Sequence, residues 1–352
     1  MRKFLIKISY TVLPLWLLLV GLAVYLWAID DNSGDLMRLG LINTGGNYTD
    51  SIRETALPGI YPIGENNESN LRQQSCDVLI IGDSFSHGGG IGRRGDYVNY
   101  IAHDGKRQVT VLYPDVPTDN PLQLAYDLLN LGLIDSTNVK NLVVQEGERY
   151  LVDRHSAFVT THKSIPTPAI ATQTDTEVKN TAQNTDQSSG TGPLLRVKDF
   201  VFYRLLGADP IYKVKLDRDL FTCDEPRKLY FYFEDVEMGF NVTAQQQKAV
   251  VEGFDTLIAK AHEKGVNLVI LIACDKYDLY QDHIVNNTYP RKTLADDVEQ
   301  WTSPHREQFV YAKPLLLPRV QQGVKDVFLF NDTHWSPASS RVIAAQIINK
   351  LK

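Results

Sequence analysis

Short apolar runs, each ended by a turn residue and separated from the next by a helical pattern, constrain this chain more than any other feature. Asp77-Val-Leu-Ile-Ile81 stops at Gly82, and comparable runs cover residues 109–112, 142–144, 268–273 and 327–330. Runs without polar alternation belong to strands buried on both faces, as in parallel sheets. Between them, residues 121–131 carry Leu122, Ala125, Leu128 and Leu129 at helical spacing. Residues 243–264 open with Thr243 and Gln246, a capping box, and close before Gly265, where a left-handed residue is favoured. Their stripe of Val250, Val251, Phe254, Leu257, Ile258 and Ala261 faces a sheet. Ser336-Pro337 supplies the cap and first turn of a last helix, with Val342, Ile343, Ile347 and Leu351 on one face. Strands alternating with helices predict an α/β fold with right-handed crossovers and a mainly parallel sheet covered on both sides.

The N-terminus adds a different element. Arg2, Lys3 and Lys7 precede an apolar stretch over residues 10–29, roughly 20 residues and long enough to cross a bilayer as a helix. Trp16, Tyr25 and Trp27 sit near its ends, where amphipathic aromatics favour the headgroup layer, and Asp30, Asp31 and Asn32 stop it. The cations ahead of it predict a cytoplasmic N-terminus and an extracytoplasmic remainder. A cleaved signal peptide would have a shorter apolar region and a small-x-small site, which Leu26-Trp-Ala-Ile-Asp30 lacks. The expected organisation is an uncleaved anchor over 1–30, an extracytoplasmic linker over 31–74 and one domain over 75–352. Within that domain, 162–193 is rich in Thr, Ser, Asn, Gln and Asp and reads as a flexible insertion. Residues 200–237 are aromatic-rich without a clear period and receive no assignment.

Composition serves mainly to exclude. With 36 basic and 42 acidic residues the formal charge is −6, and without clustered cations the chain does not read as a nucleic-acid binder. Three cysteines are too few for a disulfide scaffold. Cys76 and Cys274, beside strand ends, read as small buried apolar residues. A Cys76–Cys223 bridge is compatible with an oxidising compartment but is not deducible from the sequence.

Two strand ends carry candidate chemistry. In Val78-Leu-Ile-Ile-Gly-Asp-Ser-Phe-Ser86 a buried strand delivers Ser84 to the rim where open α/β sheets bind ligands. Backbone N–H groups after it, near Gly88, Gly89 and Gly90, can approach an oxyanion closely. The plainer reading is that Asp83 and Ser84 cap a helix. In Phe328-Leu-Phe-Asn-Asp-Thr-His-Trp-Ser-Pro337, Asp332 and His334 end another apolar run. A hydroxyl needs an adjacent base, and that base needs an orienting group, so Ser84, His334 and Asp332 make a triad if they meet. His87, with Asp83, Asp332 and His334, has the residue types of an Asp/His metal site but not the regular spacing of a zinc site, so no metal is expected. Arg149 suits a carboxylate or phosphate clamp, or a surface pair with Glu146 or Glu148. Asn120, in Pro117-Thr-Asp-Asn-Pro121, is either an amide donor or a turn residue.

Gly82-Asp83-Ser84 with Asp332-x-His334 resembles the SGNH/GDSL hydrolase superfamily, and Gly-Asp-Ser-Phe-Ser plus Asp-Thr-His-Trp resembles its alginate O-acetyltransferase-like branch. Val143-Val-Gln-Glu-Gly-Glu-Arg-Tyr150 is similar to that branch's strand followed by a Glu…Arg segment. Leu268-Val-Ile-Leu-Ile-Ala-Cys-Asp-Lys-Tyr-Asp-Leu-Tyr280 is similar to its strand ending in Pro-x-Lys…Tyr, with Cys274 in place of proline. In this chain the Asp-x-His-Trp element follows the serine, as in ordinary SGNH enzymes, and separate glycine and asparagine blocks are not evident. The resemblance implies a flavodoxin-like parallel sheet sandwiched by helices, with Ser84 as nucleophile, His334 as base and Asp332 as its partner. Asp83, Asn120, Arg149, Lys276 and Trp335 would bind substrate or stabilise the oxyanion, and no cofactor is expected. The implied activity is O-acetyl transfer, through an acyl-Ser84, onto a polysaccharide hydroxyl by an enzyme anchored once in the inner membrane and facing the periplasm. Its implied partners are the polysaccharide acceptor and a multi-span, MBOAT-type membrane acyltransferase that supplies acetyl. Alternatives are a carbohydrate acetyl esterase with the same triad and a non-catalytic glycan-binding or assembly protein.

Overall fold

In Val78–Ile81, Val78 and Ile80 enter one apolar core while Leu79 and Ile81 enter another, and all four side chains are fully buried. The computed structural model describes residues 2–32, 34–42, 63–65, 76–86, 95–112, 114, 120–135, 137–162, 197–198, 200–203, 207 and 209–352. Its strands are β1 (Ile63–Glu65), β2 (Val78–Ile81), β3 (Val109–Leu112), β4 (Asn141–Gly147), β5 (Ile211–Lys215), β6 (Lys228–Tyr232), β7 (Asn267–Ala273) and β8 (Phe309–Tyr311). Its α-helices are α1 (Arg2–Asn32), α2 (Asp35–Leu39), α3 (Tyr97–Asp104), α4 (Pro121–Asn130), α5 (Glu148–Ser156), α6 (Glu234–Glu237), α7 (Ala244–Glu263), α8 (Lys276–Tyr280), α9 (Leu294–Trp301), α10 (Ala312–Gln321) and α11 (Pro337–Ile348).

Among the described residues, six strands form one parallel sheet in the order β1-β3-β2-β4-β7-β8. The run β3-β2-β4-β7-β8 is a doubly wound, flavodoxin-like order with its switch point between β2 and β4. Alternate side chains of β2, β4 and β7 divide between two cores. Helices α2, α3, α10 and α11 cover one face, and α4, α5, α7 and α9 cover the other. Each fully buried Val, Ile or Leu contributes about 1.5–3 kcal/mol relative to exposure. Because both faces are apolar, alternation alone does not fix the register. Polar side chains at the strand ends do. Asn267 Nδ2 donates to Asn141 Oδ1 at 2.8 Å, and those two residues are register partners.

The helix over Ala244–Glu263 begins with the expected Thr243–Gln246 capping box, and Gly265 is left-handed at φ +68°. Two expectations fail. Residues 327–330 form no sheet strand. They belong to a tight loop in which Phe328 bridges only Trp335, and the Leu329 and Phe330 carbonyls are taken by Lys276. The sheet's last position goes instead to β8. Nor is all of 31–74 a linker, since Leu36 and Met37 of α2 are fully buried in the main core. The unassigned stretch 200–237 supplies the antiparallel pair β5–β6 and α6. The expected insertion over 162–193 lies outside the described residues beyond His162. Cys76, Cys223 and Cys274 are free thiols, so the Cys76–Cys223 bridge is not formed. The helical stretch Lys7–Leu26 is long and apolar enough to cross a membrane, and Leu26 at its far end packs against Leu41.

Candidate active site

The end of β2 is shaped by its neighbour β4. Ile81 pairs with Val144, which puts Gly82 against Gln145. A Cβ at Gly82 would lie 2.1 Å from Ser86 Oγ and 2.6 Å from Gln145 Oε1, so only glycine fits. Gln145 Oε1 accepts the Asp83 N–H at 2.9 Å and the Ser86 hydroxyl at 3.0 Å. Asp83 Oδ1 accepts the Phe85 N–H at 3.2 Å. The chain then turns through a short 3₁₀ segment, Ser84–Ser86, which leaves Ser84 partly exposed at the switch point.

His334 Nε2 lies 2.8 Å from Ser84 Oγ. Its other ring nitrogen, Nδ1, lies 2.5 Å from Asp332 Oδ1, and the His334 N–H donates to the same oxygen at 3.0 Å. The ring is clamped by Phe85, whose centroid lies 4.7 Å from that of His334 and 4.5 Å from that of Trp335. Asp332 is fully buried. Burial alone would raise its pKa, but the charge and hydrogen bond of His334, with backbone N–H donors from Asp35 and His334, hold the carboxyl well below the usual range. An ionised carboxylate facing Nδ1 selects the tautomer whose Nε2 accepts a proton from Ser84.

A residue that the sequence reading missed completes this arm. The Asp35 N–H donates to Asp332 Oδ2 at 3.0 Å, and Asp35 Oδ1 accepts the Thr333 N–H at 2.7 Å. Thr333 Oγ1 also donates to Asp35 Oδ2, which lies 3.5 Å from His334 Nδ1. The sequence signal was slight: a third acid shortly after Asp30 and Asp31, with nothing to set it apart from them.

Above Ser84 opens a cleft of about 210 Å³, walled by Asp35, Leu39, Asp83, Phe85, Gly147, Arg149, Tyr150, Tyr232, Asp275 and Thr333. Arg149 reaches it but pairs with Asp235 at 2.9 Å and Asp275 at 3.0 Å, not with Glu146 or Glu148. Its guanidinium lies 5.7 Å from the Tyr232 ring centre. Asp83 faces the cleft and lies 3.6 Å from Arg154. The other three residues implied by the resemblance are placed elsewhere. Lys276 is fully buried, donating to the carbonyls of Leu329, Phe330 and Asp332 at 2.6, 2.9 and 3.0 Å. Trp335 is buried beneath Phe85, so it presents no open face. Asn120 caps α4 by accepting the Gln123 N–H at 3.1 Å and donates to the Arg154 carbonyl at 2.9 Å. His87 and Gly88–Gly90 lie outside the described residues.

Asp35, Asp332 and His334 bring three ligand-type atoms within 4.8 Å of one another. Those atoms already serve one another and Thr333 as hydrogen-bond partners, so the donor set fits a proton relay better than a cation.

A flavodoxin-like parallel sheet with serine, histidine and aspartate meeting at its switch point defines an SGNH hydrolase-like domain. Residues 230–352 match the family described as the SGNH hydrolase-like domain of acetyltransferase AlgX. The chain is 34% identical over 143 residues to the probable alginate O-acetylase AlgJ of Pseudomonas syringae pv. tomato (strain ATCC BAA-871 / DC3000), across 38% of this chain and 35% of that protein. Over these residues the chain is similar to the SGNH alginate O-acetyltransferase-like branch. The chain spans about a third of the length of that curated relative. No solved structure matches it. The family match contains Asp332 and His334 but not Ser84, which joins them through the fold.

Proposed function

We propose that this protein is an O-acetyltransferase that carries acetyl on Ser84 and delivers it to a polysaccharide hydroxyl. The observation that carries the reading is the continuous line from Ser84 Oγ to His334 Nε2 at 2.8 Å and from Nδ1 to Asp332 at 2.5 Å, at the floor of an open cleft. As Ser84 Oγ attacks the donor's acyl carbon, its proton passes to His334 Nε2, and Asp332 stabilises the imidazolium. Collapse of the tetrahedral intermediate expels the donor's leaving group, which takes the proton from His334. An acceptor hydroxyl then gives its proton to Nε2, attacks the acyl carbon and releases Ser84, which recovers the proton. Ser84 and Gly147 line the cleft, and their backbone N–H groups are the proposed oxyanion donors.

Transfer requires the acceptor to outcompete water, which calls for oriented hydroxyls. Tyr150 and Tyr232 offer rings for a sugar, and the relative's name, alginate O-acetylase, supports a polysaccharide acceptor. The apolar N-terminal helix supports a single-pass anchor with the domain on the extracytoplasmic side. A membrane-embedded acyltransferase would then supply acetyl. The test is incubation of the full-length chain with p-nitrophenyl acetate and acetyl-free oligosaccharides. Acetylated oligosaccharide, formed at the expense of free acetate and lost in Ser84→Ala, is the expected result. Acetate release unaffected by any glycan would leave an esterase, and no Ser84-dependent product would remove the enzymatic reading.

A further inference from the structure

We propose that Asp35 is a positioning residue for the His334 base, so that the segment directly following α1 is a working part of the active site. The inference rests on the reading of Ser84 and His334 as an acyl-transfer pair. Residues 34–42 are seated, not draped. A Cβ at Gly34 would lie 2.3 Å from the Asn331 carbonyl oxygen, and Leu36 and Met37 are fully buried. This close approach sets Asp35 against the loop that carries the base.

The two acids grip that loop reciprocally. The Asp35 N–H donates to Asp332 Oδ2 at 3.0 Å, while the Thr333 N–H, two peptide planes from His334, donates to Asp35 Oδ1 at 2.7 Å. Asp332 thereby keeps Oδ1 for the ring. Asp35 Oδ2, 3.5 Å from Nδ1, places a second negative charge beside the proton that the ring holds after Ser84 has attacked. The other charged groups near the relay are Lys276, whose ammonium holds the Asp332 carbonyl, and Asp83, Arg149 and Asp275 along the cleft wall. Two carboxylates on one side of an imidazole favour its protonated form more than one does. Since α2 reaches the site from the far end of the chain, 298 residues from Thr333, undocking this segment removes both the charge and the clamp.

The test compares full-length wild type, Asp35→Asn and Asp35→Glu in detergent, using p-nitrophenyl acetate turnover against pH and the ring-nitrogen NMR titration of His334. Asp35→Asn should lower kcat about tenfold with KM nearly unchanged. It should also move the acid limb of the profile and the His334 titration to lower pH by about one unit. Asp35→Glu should restore much of the limb. An acid limb and titration that stay in place in a folded Asp35→Asn protein would overturn the proposal. If Asp35→Asn does not fold, Gly34→Ala, which levers the carboxylate away from Thr333, should shift the limb in the same direction, and an unmoved limb there overturns it too. A wild-type chain with no Ser84-dependent turnover would refute the acyl-transfer reading instead, and the His334 titration alone would then decide the role of Asp35.

Discussion

The ammonium of Lys276 is bound to the backbone carbonyl of Asp332 at 3.0 Å, and to those of Leu329 and Phe330 at 2.9 Å or less. Three acceptors match the three hydrogens of an ammonium, and together they shape the loop from which Asp332 and His334 project. Burial draws Lys276 down to about 7, against the nearby charges of Asp35 and Asp332 that raise it. Lys276→Met leaves three carbonyls without a donor inside the core. It should cost at least about 3 kcal/mol of stability in urea denaturation, with kcat falling more than KM changes. A variant as stable and active as wild type would show that the loop holds its shape unaided.

Asn120 distinguishes a structural cap from an oxyanion donor. Both ends of its amide are engaged, with Gln123 and with Arg154. Asn120→Ala should therefore lower stability by about 1 kcal/mol and leave kcat within about threefold of wild type. A drop in kcat of about a hundredfold or more, the effect of losing an oxyanion donor, would return the residue to the active site.

The buried carboxyl of Glu146 predicts a pH dependence of stability. Burial, against the Arg154 guanidinium 3.2 Å away that lowers it and with the Asp83 charge adding to the rise, pushes it up to about 7. Between its ordinary value near 4.5 and about 7, the folded chain keeps a proton that the unfolded chain has released. Stability therefore falls as pH rises through that window. Glu146→Gln should remove up to about 3 kcal/mol of this slope, so that denaturation midpoints at pH 5 and pH 8 move together. An unchanged slope would mean that Glu146 is ionised throughout.

Tyr232 stands where a sugar ring can stack, beside Arg149 on the cleft wall. Tyr232→Ala should raise KM for an oligosaccharide acceptor about tenfold, while p-nitrophenyl acetate hydrolysis stays within twofold. Equal losses with both substrates would assign the ring to the fold.

Much of this arrangement was legible because strand ends in a parallel sheet share a rim. The run that enters Gly82-Asp83-Ser84 is such a strand and delivers the serine to the rim, whereas Asp332-Thr333-His334 reaches the same edge from a loop. What stayed hidden depends on contacts between distant segments. The run 327–330 looks like a strand because its side chains are buried, yet its carbonyls are served by a lysine, which no periodicity reveals. Phe309-Val-Tyr311 is too short to stand out from its surroundings, although it closes the sheet. Trp335, which the resemblance places among the substrate-binding or oxyanion residues, is the floor under Phe85, since an aromatic residue's exposure is not written in its neighbours. Asp35 lies in a stretch without a period, and only the fold brings it to Thr333.

The hydroxyl of Ser84 is the group on which the proposed acyl transfer depends. Mixing the full-length chain with p-nitrophenyl acetate, quenching in acid and mapping the peptides by mass spectrometry tests it most directly. An acetyl group on the Ser84 peptide, formed rapidly in wild type, strongly slowed in His334→Ala and absent in Ser84→Ala, is the predicted result. Acetylation at other residues only, or turnover undiminished in Ser84→Ala, would contradict it.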